Sequence, residues 1–173
     1  MTSKLKRIRL LLLDVDGVLT NGKFYISNNG DIHLPFDVKD GSGIRYLMRG
    51  GLNVGIITGK DNKAVSFRAQ DLNISIVHRK VTNKVSVLSQ ILRSQNLLPE
   101  EALYMGDDLL DLGIMARVGI SVAVADAVPE VIEAADFVTD CKGGNGAVRE
   151  VCEMILKAQD KWDAIVEYYR SMQ

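Results

Sequence analysis

The sequence predicts an α/β fold: a doubly wound, Rossmann-like parallel sheet with helices on both faces and a β-hairpin inserted after the first strand. Short apolar runs without polar alternation recur along the 173 residues, as strands buried on both faces do, and longer amphipathic segments separate them. The third observation is size. With 47% of residues hydrophobic and 25% charged, a chain of this length buries roughly 70% of its unfolded surface. That suffices for one core, so a single domain over residues 1–173 with no cap domain is expected.

Each element follows in order. Ile8 to Leu13 is the first strand. Gly22 to Phe36 then holds two short extended stretches around Asn-Asn-Gly-Asp, a hairpin signal, so a hairpin over 22–36 leaves the C-terminal edge of the sheet. Gly43 to Arg49 reads as a helix stopped by Gly50-Gly51, followed by a strand at Leu52 to Ile57, a helix at Asn62 to Leu72 and a strand at Ile74 to Val77. Asn83 to Asn96 carries Val85, Leu88, Ile91 and Leu92 on one helical stripe. Pro99 and Pro129 sit where first-turn prolines belong; between them come a strand at Ala102 to Met105, a helix at Leu109 to Val118 and a strand at Ile120 to Val124. Residues 145–173 form a C-terminal helical segment, striped by Val148, Val151, Met154 and Ile155 and continuing through Trp162 to Tyr169. It packs on the domain or on a neighbour.

Composition excludes several classes. Lys and Arg number 21 against 22 Asp and Glu, so no basic field recruits nucleic acid. Cys141 and Cys152 lie outside any metal-binding or disulfide spacing, which suits a reducing cytoplasm. Asp14 and Asp16 cut the apolar run Leu10 to Leu13 too early for a signal peptide, and nothing approaches the roughly 20 apolar residues of a membrane span. A cytoplasmic protein with no membrane partner is expected.

Chemistry concentrates at the strand ends. Asp14 and Asp16 follow a buried strand and precede Gly17, and two carboxylates so close repel unless a cation lies between them. Oxygen ligands in a small site suit Mg2+, although Asp-x-Asp-Gly alone also makes a strand-capping turn. Thr58 ends the second strand, where its hydroxyl is either a helix cap or a donor to an anion. Lys84 opens a helix, where its charge opposes the dipole; an anionic partner is more favoured there than at an ordinary lysine, and a solvated lysine is an equal alternative. Asp107, Asp108 and Asp111 crowd three acids into five residues after the fourth strand.

In that order, Asp-Val-Asp-Gly-Val-Leu-Thr20, Thr58, Lys84 and Gly106-Asp-Asp-x-x-Asp111 resemble the four motifs of the haloacid dehalogenase superfamily of phosphohydrolases. Phe36-Asp-Val-Lys-Asp-Gly41-x-Gly-Ile44, Val122-Ala-Val-Ala-Asp-Ala127 and Gly143-Gly-x-Gly-Ala-Val-Arg-Glu-Val151 extend the match to the 3-deoxy-D-manno-octulosonate 8-phosphate phosphatase family, over about residues 7 to 160. The resemblance implies an Mg2+-dependent phosphoric monoester hydrolase in lipopolysaccharide precursor biosynthesis that works through an aspartyl-phosphate. Asp14 would be the nucleophile, Asp16 the general acid and then base, and Thr58 and Lys84 the phosphoryl clamp. The metal would take the side chains of Asp14 and Asp107 and the backbone carbonyl of Asp16, with Asp108 and Asp111 behind them.

For the sugar acid, the resemblance implies contacts at Asp37, Val38, Lys39, Asp40, Gly41, Arg45, Gly59, Lys60 and Arg68, besides Asp16, Thr58 and Lys84. Three positions depart from the family. Lys39 and Lys60 stand where arginine is usual, and Lys80 where glycine is usual four residues before the motif lysine. A lysine lacks the planar fork that grips a carboxylate, so a 9-phosphate of a nine-carbon, sialic-acid-type keto acid is the alternative substrate. A phospho-receiver domain would carry its phosphate after the third strand, which here ends in Val77-His78. A silent structural member would not need Asp14, Asp16, Thr58, Lys84 and Asp107 intact. Capped relatives close their sites with an inserted domain, which this chain has no length for. The family solution is a homotetramer in which a neighbour covers the site, with the glycine-rich turn at Gly143 to Gly146 letting the C-terminal segment approach an active site.

Overall fold

A computed structural model describes residues 1–172. Its strands are β1 (Leu10–Leu13), the hairpin pair β2 (Tyr25–Ile26) and β3 (Ile32–His33), then β4 (Asn53–Ile57), β5 (Ile76–His78), β6 (Ala102–Gly106), β7 (Ile120–Ala123) and β8 (Phe137–Val138). Its helices are α1 (Thr2–Leu5), α2 (Val38–Arg49), α3 (Lys63–Asp71), α4 (Lys84–Gln95), α5 (Leu112–Met115), α6 (Pro129–Ala134), α7 (Ala147–Ala158) and α8 (Trp162–Arg170). Six strands form one parallel sheet in the order β5-β4-β1-β6-β7-β8, with helices on both sides, and β2 and β3 form a separate antiparallel ribbon. All four leucines of β1 are fully buried, which a strand at the centre of a two-sided sheet requires.

The structure departs from the sequence expectation in several places. Helix α2 starts at Val38 rather than Gly43, because the Asp37 carboxylate accepts the Asp40 N–H at 2.9 Å and caps its first turn. The helix expected at Leu109 to Val118 is a 3-10 turn at Leu109–Asp111 followed by the short α5, since Asp111 turns inward instead of lying on a helix surface. A sixth strand, β8, extends the sheet by two residues beyond β7. The C-terminal segment breaks between α7 and α8 at Asp160, which adopts a left-handed φ of 56°.

Helix α8 lies on its own chain. The Tyr46 ring of α2 is 6.2 Å from Trp162 and 5.1 Å from Tyr169, and the Arg149 guanidinium of α7 stands 4.6 Å from the Tyr46 ring centre. Aromatic faces attract such cations, so the contact ties three helices together beyond the area it buries.

Candidate active site

Sheet register assembles the site. Leu13 lies opposite Ile56 on one side and Met105 on the other, so the next residues of β1, β4 and β6 emerge together at the C-terminal edge. The chain leaves β1 for β4 and β5 on one side and returns to β6 on the other, which makes this edge the point where the strand order reverses. Asp14, Thr58 and Asp107 follow these strands, and Lys84 opens α4 beside them. They line a cavity of about 320 Å³ in which five carboxylates, those of Asp14, Asp16, Asp107, Asp108 and Asp111, face two lysines, Lys60 and Lys84.

The loop after β1 is shaped by Gly17 and Thr20. Gly17 has φ of 90°, and a Cβ there would come within 1.9 Å of Asp107 Oδ2, so the missing side chain is the space in which the Asp107 carboxylate lies. The Thr20 hydroxyl donates to the Val15 carbonyl at 3.2 Å and accepts the N–H groups of Gly17 and Gly22, each at 3.3 Å, closing the loop on itself. Beneath it, Gly143 packs so tightly on the Gly17 carbonyl that a Cβ would sit 1.5 Å from the oxygen, while Asp126 Oδ1 accepts the Gly143 N–H at 2.9 Å. The glycine-rich turn expected to bring the C-terminal segment to an active site packs under the loop after β1 of its own chain, because only a backbone without side chains fits there.

Lys84 is the electrostatic centre. Its ammonium donates to Asp111 Oδ1 at 2.7 Å and to the Tyr104 hydroxyl at 3.0 Å, and pairs with Asp14 Oδ1 at 2.9 Å. Burial pulls the lysine toward neutrality, but the two carboxylates outweigh it and raise its pKa, so it stays charged. Burial pushes Asp14 up to about 6 against the pull of Lys84. Burial, reinforced by the charges of Asp14 and Asp111, pushes Asp107 up to about 7. Tyr104, also buried beside those carboxylates, is held well above its ordinary 10.

Asp14, Asp107 and Asp111 bring carboxylate oxygens within 4.8 Å of one another, as a metal site would. Their roles differ. Asp111 uses Oδ1 for Lys84 and Tyr104 and Oδ2 for the N–H groups of Asp107 and Asp108, at 2.9 and 3.2 Å, so it braces the site instead of ligating. Asp107 Oδ1 is buried and has no hydrogen-bond partner. An orphaned carboxylate oxygen between acids is costly unless a cation completes it, so the donor set fits Mg2+. Asp108 accepts the Leu109 N–H at 2.7 Å and caps the turn.

The other expected residues divide into two groups. Thr58 is buried and accepts the Lys60 N–H at 3.2 Å, leaving its proton free to donate. Gly59 and Lys60 line the cavity, with Lys60 Nζ 3.5 Å from Asp16 Oδ2 and 4.1 Å from the Phe24 ring centre in the hairpin. Asp37, Val38, Lys39, Asp40, Gly41, Arg45 and Arg68 stand outside that lining. Arg45 and Arg68 both pair with Asp71, at 3.1 and 2.9 Å, and Arg68 also donates to the Asp37 carbonyl. Asp40 is buried and accepts the N–H groups of Gly146 and Arg149 at the start of α7, at 3.3 and 2.8 Å. Val38 and Lys39 are exposed. Lys80, in the usual glycine position, has φ of 56° and pairs with Asp61 at 2.7 Å. Sequence reasoning assigned no part in the site to Tyr104; its only signal is a phenol inside an otherwise aliphatic buried strand.

Known proteins match this arrangement. The profile of the haloacid dehalogenase-like hydrolases matches residues 55–151. The 3-deoxy-D-manno-octulosonate 8-phosphate phosphatase of Escherichia coli K12 is 47% identical over 161 residues, covering 93% of this chain and 86% of that protein. The crystal structure of the Yersinia pestis phosphatase of the same name superposes with a TM-score of 0.92 at 44% identity, covering 94% of this chain and 88% of that one. That of the Moraxella catarrhalis phosphatase, in complex with a magnesium ion, a phosphate ion and a KDO molecule, superposes with a TM-score of 0.95 at 35% identity, covering 97% of each chain.

Proposed function

The chain belongs to the haloacid dehalogenase-like hydrolases, and from that premise we propose that it hydrolyses 3-deoxy-D-manno-octulosonate 8-phosphate to the free sugar acid and phosphate. The observation that carries the chemistry is Lys84 Nζ at 2.9 Å from Asp14 Oδ1, beside the unpartnered Asp107 Oδ1. One nucleophile, one fixed cation and one unpartnered carboxylate oxygen meet at the switch point of the sheet. The activity for which these relatives are named, at 47% identity across nearly the whole chain, supports the substrate and a place in lipopolysaccharide precursor biosynthesis.

Asp14 attacks phosphorus in line, forming an aspartyl-phosphate and releasing the sugar alkoxide, which Asp16 protonates. Asp16 then takes a proton from the water that opens the intermediate. Lys84 and the Thr58 hydroxyl hold the oxygens that are not transferred, where charge spreads in the transition state. Asp111 keeps Lys84 in place and braces the Asp107–Asp108 backbone. Magnesium is the cofactor; Asp14, Asp107 and the Asp16 backbone carbonyl would hold it, and when bound it neutralises charge on the phosphoryl oxygens. Lys60, poised between Asp16 and the Phe24 face, reads the sugar acid.

The reading includes a homotetramer in which a neighbour closes the cavity, in the cytoplasm. Exposed Tyr25, Ile26 and Ile32 on the hairpin and Leu110 at the cavity mouth support a covered face. No described helix is long and apolar enough to cross a membrane. A panel of sugar phosphates assayed with magnesium, including eight- and nine-carbon keto acid phosphates, tests the activity: preference for the eight-carbon 8-phosphate is expected, and a flat profile overturns it. Gel filtration with activity measured on dilution tests the assembly, which a fully active monomer overturns.

A further inference from the structure

An ammonium has three N–H donors, and Lys84 uses all three within the protein. Asp14, Asp111 and Tyr104 accept them at 2.9, 2.7 and 3.0 Å. These acceptors are not equivalent. Asp14 is the residue that reacts, whereas Asp111 and Tyr104 lie behind the lysine, both fully buried, and are bonded to each other by the Tyr104 hydroxyl donating to Asp111 Oδ1 at 2.6 Å. The Tyr104 oxygen thus donates to Asp111 and accepts from Lys84, and Tyr104 itself is not part of the cavity lining.

We propose that Tyr104 is a positioning residue for the reaction: with Asp111 it holds two of the three Lys84 donors from below, so that the third is directed at Asp14 and the phosphoryl group arriving there. The proposal rests on the reading of Lys84 as the phosphoryl clamp. A flexible four-carbon stem with a rotating head is poorly directed by one carboxylate, and a second fixed acceptor removes the remaining freedom. β6 supplies that acceptor because its register, with Leu12 opposite Tyr104, sets the phenol under the loop that follows β1. An aliphatic residue there would fill the core equally well and would leave one N–H of a buried ammonium without a partner.

The test compares wild type, Tyr104→Phe, Lys84→Met and the double variant. It reads kcat and KM for the eight-carbon keto acid 8-phosphate with magnesium, and calorimetric affinity for inorganic phosphate. Tyr104→Phe keeps the ring and is expected to lower kcat about tenfold to a hundredfold, the usual worth of a buried hydrogen bond to a charged group, with KM changed less than about threefold. In the Lys84→Met background the same change is expected to have no further effect on turnover or phosphate affinity, because its effect passes through the lysine. An unchanged kcat in Tyr104→Phe, or an equal loss in both backgrounds, overturns the proposal. Tyr104→Met, which fills the space with a flexible apolar chain, is read in the same way should Tyr104→Phe not fold. Full activity in Lys84→Met overturns the clamp reading itself. Loss in Lys84→Met with an unaffected Tyr104→Phe overturns only the role of the tyrosine.

Discussion

The Asp107 carboxylate occupies the space that a side chain on Gly17 would take: a Cβ there would lie 1.9 Å from Asp107 Oδ2. The loops that follow β1 and its neighbour β6 therefore interlock at one atom position. Gly17→Ala is expected to displace Asp107 and strain a φ of 90°, at a cost of about 1–2 kcal/mol. In a chain of this size that lowers the melting midpoint by about 5 °C, while turnover falls about 100-fold or more. Calorimetry and a phosphate-release assay check the pair of outcomes; wild-type turnover in the variant would show that the interlock has no catalytic consequence.

Asp107 also makes a prediction about the metal. Because its Oδ1 has no protein partner, magnesium should stabilise the wild-type protein, by about 2.7 kcal/mol at a hundred times its dissociation constant. Asp107→Asn is expected to lose that stabilisation and about 100-fold or more of the turnover. A magnesium titration followed by thermal unfolding measures it, and an equal shift in both proteins would remove Asp107 from the ligand set.

Burial raises the Asp40 carboxyl from 3.8 to about 6, against the backbone N–H groups of α7 that pull it down. The folded state thus holds this proton more tightly than the unfolded chain. Its contribution is greatest below pH 3.8, is lost as pH rises toward about 6, and is constant above that. Relative to Asp40→Asn, which cannot titrate, wild type should lose on the order of 2–3 kcal/mol across this window. Urea unfolding of both proteins between these pH values checks the slope, and a flat difference would contradict it.

Lys80 adopts a left-handed φ of 56° where the family pattern has glycine. Lys80→Gly relieves roughly 1 kcal/mol of strain and loses an exposed ion pair to Asp61 worth up to about 1 kcal/mol, so stability should stay within about 1 kcal/mol of wild type. Lys80→Val keeps the strain, stiffens it with a branched Cβ and is expected to cost about 2 kcal/mol. Equal stabilities of the two variants in chemical denaturation would refute the assignment of strain.

What could be read from the sequence follows the range of the interactions. Asp14, Thr58, Lys84 and Asp107 were legible because each stands beside a strand or helix end that its own neighbours define. Asp40 and Asp126 take their places from N–H groups at Gly146, Arg149 and Gly143, far along the chain, and no local pattern announces such pairs. Tyr104 reads as apolar filling in β6 because a buried phenol and a buried leucine share the same periodicity. Helix α2 could have been started correctly, since Asp37 is a capping residue at the right distance from Asp40. Two-residue β8 lies below the length at which an apolar run stands out.

The contact between Gly143 and the Gly17 carbonyl gives the site a timetable. A chain emerging from a ribosome presents Asp14 early, but the support under its loop is made more than a hundred residues later. Synthesis can complete all eight strands and still leave Asp14 on an unbraced loop. The loop that carries Asp14 is then braced only once the turn at Gly143 has emerged and docked beneath it.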